Sequence, residues 1–558
     1  MSTPAPRPQR QPAEAPRAHA PSPNSPQTDD PALIAGLQQE LVQAGFTNDG
    51  VAQLLGEEAV AALDREQVVP GQLRILEALT EPVGDATEGP RACAVLTALW
   101  LLAVEVSPEQ VDAALPQTGV LGLQRLGLAE VRPAAQGYNR TPVVVPCADL
   151  RPYQIAGHRS SVADLWVTSD LSAHQLAGAL PHDHVLGIGQ ATLTLASSTH
   201  RREAATALDI GTGCGLQLMH LLGHCDHVTG TDVSQRALQF ARFNLLLNAD
   251  ALDLDPHRLT DRVELLHGSL LEPVAGRSFD LVVSNPPFVI TPRTAGESET
   301  DRYVYRDGGR EGDSLMAELI AELPSVLNPG GTVQMLGNWE QKTDDADWRA
   351  RLREWVQGTS LHSWFIQRDA QTPAEYAETW LRDASEERSI DEYRRRYAAY
   401  LADFEARGVE QIGFGLIWLQ RPQPDAAPRR RMEEILGPVQ QPLGPVIGET
   451  TARILQTEDA VLDQHLVVPG SVTEERYQRF GAEHPEVIIA RQGAGLRRAR
   501  PISSAAAGFL AAADGDFSAA QLITAVCSLT DTEEADLRQE VLDLYVEGFL
   551  TLTDPLEA

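Results

Sequence analysis

The sequence predicts an α/β protein. Its centre reads as a doubly wound, largely parallel sheet, flanked by small α+β units of winged-helix-like plan. Two observations predict this. Between about residues 165 and 422, apolar strand-like runs at 207–210, 227–231, 263–266, 281–284, 332–336, 363–367 and 412–419 are mostly separated by helical segments. Such alternation builds a parallel sheet covered by helices on both faces. Outside that region, helical periodicity gives way to short strand-like runs, as in small α+β units. The 558 residues allow three to four domains at ~150 residues each, and an apolar content of 43% is ordinary for a folded chain.

Taken in order, residues 1–28 are rich in Pro, Ala, Ser and Gln and read as a disordered tail. Residues 29–155 read as an N-terminal accessory α+β domain. In its first helix Leu33, Ile34, Leu37, Leu41 and Val42 share one face, and Gly45 closes it. Helices near 50–64, 90–103 and 108–115 follow, then strand-like runs at 128–131 and 141–147. Residues 156–422 hold the sheet, with a charged helical insertion at about 371–407 between its last two strands. Residues 423–558 open on a Pro- and Arg-containing linker and form a C-terminal, winged-helix-like accessory domain. There Ser518 and Gln521 make a capping box, Asp531 opens a further helix, Gly548 ends it, and 549–552 reads as a short strand.

Composition removes several function classes. There are 45 basic against 78 acidic side chains, a formal net charge of −33, and Lys342 is the only lysine. Schiff-base lysine chemistry is therefore close to excluded. The acidity counts against sequence-blind nucleic-acid binding, which needs clustered cations. The most apolar stretch, residues 92–106, is broken by Glu105 and falls short of the ~20 residues of a membrane span. The N-terminus has no apolar signal-peptide core. Five cysteines without a CxxC pair read as reduced thiols of a cytoplasmic protein. His182, His184, His220, His224 and His227 do not share a metal-ligand spacing with carboxylates, so no metal is expected.

The chemistry-bearing residues lie at strand ends. The run Ala207-Leu208-Asp209-Ile210-Gly211-Thr212-Gly213-Cys214-Gly215 leads into a helix from Leu216. Its glycines permit a sharp turn and close approach of a ligand, and the helix N-terminus behind them favours a ligand's negative end. Dinucleotide-binding turns use GxGxxG spacing; here it is DxGxGxG, which resembles motif I of class I S-adenosylmethionine (SAM) methyltransferases. The resemblance implies a Rossmann-like methyltransferase sheet. It also implies a loop of Gly211, Thr212, Gly213 and Gly215 around the methionine part of SAM, with Asp209 helping to hold its amino group. The next strand ends in Asp232 and Val233, 23 positions after Asp209. A carboxylate there can accept both ribose hydroxyls, and can also cap the following helix. The third strand ends in Ser269 and Leu270 where many relatives carry an acidic residue, so adenine recognition is expected from backbone and apolar contacts.

The fourth strand runs into Asn285-Pro286-Pro287-Phe288. This resembles motif IV of amino-methyltransferases, which act on the nitrogen of a planar amide or an exocyclic base amine. Such a nitrogen is a poor nucleophile because its lone pair is delocalised. The Asn285 oxygen can accept one N–H and the Pro286 carbonyl the other. The prolines stiffen the loop, and Phe288 offers a face to the flat group. Downstream, Gly308-Gly309-Arg310-Glu311-Gly312 and Pro329-Gly330-Gly331 resemble the HemK-type glutamine N5-methyltransferases. Phe288 replaces the Tyr usual in that branch and is common in RNA guanine and adenine enzymes. The expected function is thus SAM-dependent N-methylation of a macromolecule, with RNA (rRNA or tRNA) and a protein glutamine both open. The rival is a non-catalytic SAM-binding scaffold or sensor. Residues 189–194, Trp166 and Asp170 either touch the cofactor or simply pack. Arginines 394–396, 429–431, 497, 498 and 500 are phosphate contacts if the substrate is RNA, and otherwise salt-bridged surface charge.

Overall fold

A computed structural model of the chain describes residues 25–65, 67–80, 88–133, 142–156, 162–172, 175, 180–293, 308–383, 390–424 and 426–553. Most of the expected tail lies outside these residues, as do Thr141 and the positions just before Gly308.

The centre is an eight-stranded sheet: β1 Ala204–Ile210, β2 Cys225–Asp232, β3 Val263–His267, β4 Phe279–Ser284, β5 Leu327–Lys342, β6 His362–Gln371, β7 Val409–Gln420 and β8 Arg430–Glu434. Their order across the sheet is β8-β6-β7-β5-β4-β1-β2-β3. Only β7 runs antiparallel to its neighbours. The side-chain alternation of the strands divides two cores. Ala207, Val228, Leu281 and Val283 face the helices Leu216–Leu222 and Gln235–Leu247. Leu208, Ile210 and Val282 face Ser314–Glu322 and Ala350–Gln357. Strands buried on both sides read as nearly continuous apolar runs, which is why the seven runs were legible. The insertion is two helices, Pro373–Asp383 and Ile390–Ala406, between β6 and β7.

The domain boundaries need two corrections. The first was set between 155 and 156, inside a hairpin of Asp149–Ala156 with Val162–Ser169. That hairpin is tied to the helix Gln235–Leu247 by two asparagines one turn apart. Asn248 Oδ1 accepts from Trp166 N–H at 2.8 Å and its Nδ2 donates to Trp166 O at 2.8 Å. Asn244 repeats the pattern on Thr168 at 2.8 and 2.9 Å. The pair acts as a partner strand, satisfying buried backbone groups that would otherwise cost ~1–3 kcal/mol each. Trp166 Nε1 donates to Phe46 O at 2.7 Å, so the N-terminal helices and the sheet share one apolar core. The N-terminal unit also contains two helices absent from the sequence reading, Val69–Thr80 and Gly119–Arg125.

The second boundary, 422/423, cuts off β8. The expected linker instead adds an edge strand, with Ser363 paired to Arg430. Its sequence, RRMEE, has no apolar alternation to read, and edge strands tolerate charge. Arginines 429–431, 498 and 500 are structural. Arg429 and Arg430 donate to the carbonyls of Ile454 and Val356 at 2.9 and 2.7 Å. Arg431 and Arg498 flank Glu433, at 3.2 and 2.8 Å, and Arg500 holds Glu547 and Asp543 at 2.9 and 3.0 Å. Arg429, Arg431 and Arg498 join the C-terminal unit to the sheet, Arg430 holds β8 to the helix Ala350–Gln357, and Arg500 braces the C-terminal unit itself, so the phosphate-contact reading of those five arginines falls. That unit places helices Ser504–Ala512, Ala519–Thr530 and Glu534–Glu547 beside two small antiparallel sheets. The Ser518/Gln521 capping box is present. Asp531 does not open the last helix: it closes the preceding one in a left-handed conformation, φ 54°, and Glu533 is the next N-cap.

Candidate functional site

The carboxyl ends of β1, β2 and β4 meet at a cavity of about 390 Å³. Open α/β sheets bind ligands at this edge because loops of opposite winding separate there. The loop after β1 turns through three glycines of positive φ, Gly211 at 72°, Gly213 at 55° and Gly215 at 87°. A Cβ on Gly213 would meet nothing within 4 Å, and one on Gly211 only Asn285 O at 4.0 Å. These positions are open for a ligand's approach. Gly215 differs: a Cβ there would lie 3.1 Å from Ala241 Cβ. It serves close helix packing and does not line the cavity.

Two carboxylates organise the loop. Thr212 Oγ1 donates to Asp209 Oδ2 at 2.6 Å. Asp209 is 1% exposed, and burial pushes its carboxyl up to about 7. Asp232 Oδ2 accepts the Gly213 N–H at 2.9 Å and its Oδ1 the Ser234 N–H at 2.7 Å. It thus locks the loop to the end of β2. Burial raises its carboxyl too, against the opposing effect of these bonds. With about four acceptor positions per carboxylate, Asp232 keeps capacity for ligand hydroxyls. Val233, Ser269 and Leu270 also line the cavity. Leu270, at φ 46°, accepts from Thr231 Oγ1 at 3.1 Å, which fixes the third wall.

The loop after β4 supplies the opposite wall. Ser284 Oγ donates to Ile210 O at 2.8 Å and ties this loop to the glycine turn. Asn285 and Pro287 line the cavity; Pro286 and Phe288 do not. Asn285 Oδ1 is buried and accepts no hydrogen bond among the described residues. An acceptor left so costs ~1–3 kcal/mol, and an N–H at this wall would relieve it. The Pro286 carbonyl accepts the Phe288 N–H at 2.7 Å, leaving one of its two lone pairs. Phe288 meets Trp380 of the insertion edge-on, ring centroids 6.4 Å apart. Tyr376 Oη receives the Ile290 N–H at 2.8 Å. The insertion therefore buttresses the loop.

The sequence reading located the lid only partly. Of residues 189–194, Thr192 alone lines this cavity, whereas 183–187 do so as a group. They are held by Asp170, which accepts the Val185 N–H at 2.7 Å and pairs with Arg236. Trp166 is packing. Gln217, Arg310 and Leu315 also line the cavity; Gln217 and Leu315 carry no motif signal, since helix geometry alone brings them there. Among the described residues no group of His, Cys, Asp and Glu could hold a metal ion, and no helix is long and apolar enough to cross a membrane.

Residues 174–300 match the model of the methyltransferase small domain. By this match the middle of the chain resembles the methyltransferase small domain. Residues 43–139 match a second model, described as a domain of unknown function. The chain is 36% identical over 134 residues to release factor glutamine methyltransferase of Geobacter sulfurreducens, covering 23% of this chain and 43% of the relative. It is 27% identical over 175 residues to ribosomal protein uL3 glutamine methyltransferase of Bradyrhizobium diazoefficiens, covering 30% and 51%. It is 30% identical over 132 residues to a putative protein N5-glutamine methyltransferase of Methanocaldococcus jannaschii, covering 23% and 59%. The chain spans about half the length of the curated relatives it matches. Residues 174–300, which that model matches, include the glycine turn and the β4 loop.

Proposed function

We propose that the chain is a SAM-dependent methyltransferase that methylates the side-chain amide nitrogen of a protein glutamine. The carrying observation is the Asn285 carboxamide oxygen, buried and without a hydrogen-bond partner among the described residues, at the cavity wall opposite the glycine turn. The names of the three relatives, all glutamine methyltransferases, favour protein over RNA. So does the consumption of five arginines in structural ion pairs and carbonyl contacts.

The residues present fit SAM. The open glycine turn at Gly211 and Gly213 takes its methionine part, with Thr212 closing the loop onto Asp209. Asp209 neutralises the amino group, Asp232 accepts the ribose hydroxyls, and Val233, Ser269 and Leu270 border the adenine. Bound SAM supplies a methyl group on a sulfonium, already an electrophile. The protein's task is then orientation. Asn285 Oδ1 accepts an amide N–H at the cavity, beside Pro287. This contact turns the nitrogen toward the methyl carbon and stabilises charge that builds on it. Pro286 and Pro287 keep the loop stiff, and Phe288, braced by Trp380, supports it from behind the cavity wall.

Transfer of labelled methyl from SAM into a lysate tests the reading. Label surviving nuclease, lost to protease and recovered as N5-methylglutamine is the expected result. Label in RNA would overturn the substrate. Binding of SAM with no label in either pool would favour the scaffold or sensor.

A further inference from the structure

A second cavity, of about 790 Å³, lies behind the helix Gln190–Ser198. It is a crevice between the hairpin at Tyr153, the start of β1 and the 441–445 segment. Thr192 of that helix faces the first cavity, while Leu193 and Thr194 face the second. The chemistry of this crevice is opposite to that of the chain as a whole. With 78 acidic residues in the sequence, no carboxylate among the described residues lines it, and Arg201, His200 and His220 do.

Its polar groups are a relay with a defined direction. Arg201 can only donate, and its Nη2 lies 3.0 Å from His220 Nδ1. Nδ1 is therefore the acceptor, and the ring proton sits on Nε2. Burial keeps this histidine neutral, with its pKa pushed down to about 3. Nε2 lies 2.9 Å from Tyr153 Oη and donates to it. The Tyr153 hydroxyl is thereby an acceptor toward His220, and its own proton is left without a partner among the described residues. Among the described residues Arg201 has one further contact, to Ala196 O at 3.5 Å, and no carboxylate within ion-pair distance. A guanidinium and a hydroxyl donor thus converge on a crevice that offers them no counter-charge.

We propose that this crevice is a second ligand site, which takes a small organic anion. Its phosphate or carboxylate head lies between Arg201 and Tyr153, and its apolar body against Ile155, Leu193 and Pro445. Arginine suits such a head because its planar fork matches two oxygens at once. The site is independent of the methyl-transfer reading: either can fail alone.

Calorimetry on the full chain tests it with three probes of one shape: phenyl phosphate, benzoate and neutral benzamide. Saturable binding of at least one anion, with none of benzamide, is expected, and the anion that binds names the head group. Arg201→Gln should weaken it at least tenfold. Tyr153→Phe, which removes one donor and keeps the ring, should weaken it severalfold and decides the matter if Arg201→Gln does not fold. The site is overturned if neither anion binds, if benzamide binds as well as the anions, or if affinity is unchanged in the variants.

Discussion

Asp209 gives the most quantitative prediction. Burial holds its carboxyl near pKa 7 without a ligand, and an ammonium bound beside it requires the ionised form. Between pH 5 and 7 the ligand's amino group stays charged, so affinity follows the ionised fraction of Asp209. That fraction rises from about one in a hundred at pH 5 to about a half at pH 7, a change of roughly fifty-fold, or about 2.3 kcal/mol. Affinity for S-adenosylhomocysteine, which carries the same amino group, should climb by about that factor. Binding at pH 6 should release close to one proton, seen calorimetrically as a heat that scales with buffer ionisation enthalpy. Asp232, also raised by burial, adds a slope of the same sign, so the comparison is with Asp209→Asn. That variant should bind more weakly at pH 7 and show a shallower pH dependence than wild type. Wild-type affinity flat between pH 5 and 7, or an equal slope in Asp209→Asn, would refute the pairing. The same shift has a stability consequence of opposite sense. The folded-state pKa lies above the unfolded value, so without ligand the protonated form favours folding, and stability falls as pH rises from about 4 through 7.

Three further outcomes follow from the architecture. Glu433→Gln removes the carboxylate shared by Arg431 and Arg498; a loss of about 3–5 kcal/mol is expected, read as faster proteolysis between the sheet and the C-terminal unit. Because Glu433 is held down to about 2, its contribution in the wild type should persist above pH 4.5 and be lost as pH falls toward 2; unchanged protease resistance in the variant would count against the clamp. Asn244→Ala leaves buried backbone groups of Thr168 unpaired and should raise hydrogen exchange at the Thr168 amide by at least about a hundredfold, from about 3 kcal/mol of lost protection; protection equal to wild type would refute the partner-strand role. Gly215→Ala must bear both a left-handed backbone and a contact at 3.1 Å; it should lower Tm by several degrees, and an unchanged Tm would return Gly215 to a ligand role.

The sheet was legible because parallel strands buried on both faces leave apolar runs, and the glycine turn and the β4 loop because their residue types are set by local chemistry. What escaped had long-range or non-apolar causes. The strand Arg430–Glu434 is charged and visible only once β6 offers it an edge. The role of Asn244 and Asn248 depends on a hairpin some eighty residues earlier, and no periodicity marks it. The same holds for the lid: Asp170 positions residues 183–187 through Val185 and Arg236, so the helix from Gln190 lies behind the cavity more than over it. The arginine clusters left two readings open for a related reason, since a sequence displays their charge but not Glu433, Glu547 and Asp543 folded against them. Among the nominated site residues, Gly215, Pro286 and Phe288 stand behind the cavity wall and shape it.

The central claim is that the Asn285 oxygen holds the acceptor nitrogen. Its most direct test is Asn285→Ala, followed by two readouts on one preparation: S-adenosylhomocysteine affinity by calorimetry, and methyl transfer to the glutamine-bearing protein labelled in the lysate. A fall in transfer of at least about a hundredfold, with affinity within about threefold of wild type, is predicted. Transfer that survives the substitution, or is lost only in proportion to weakened cofactor binding, would contradict it.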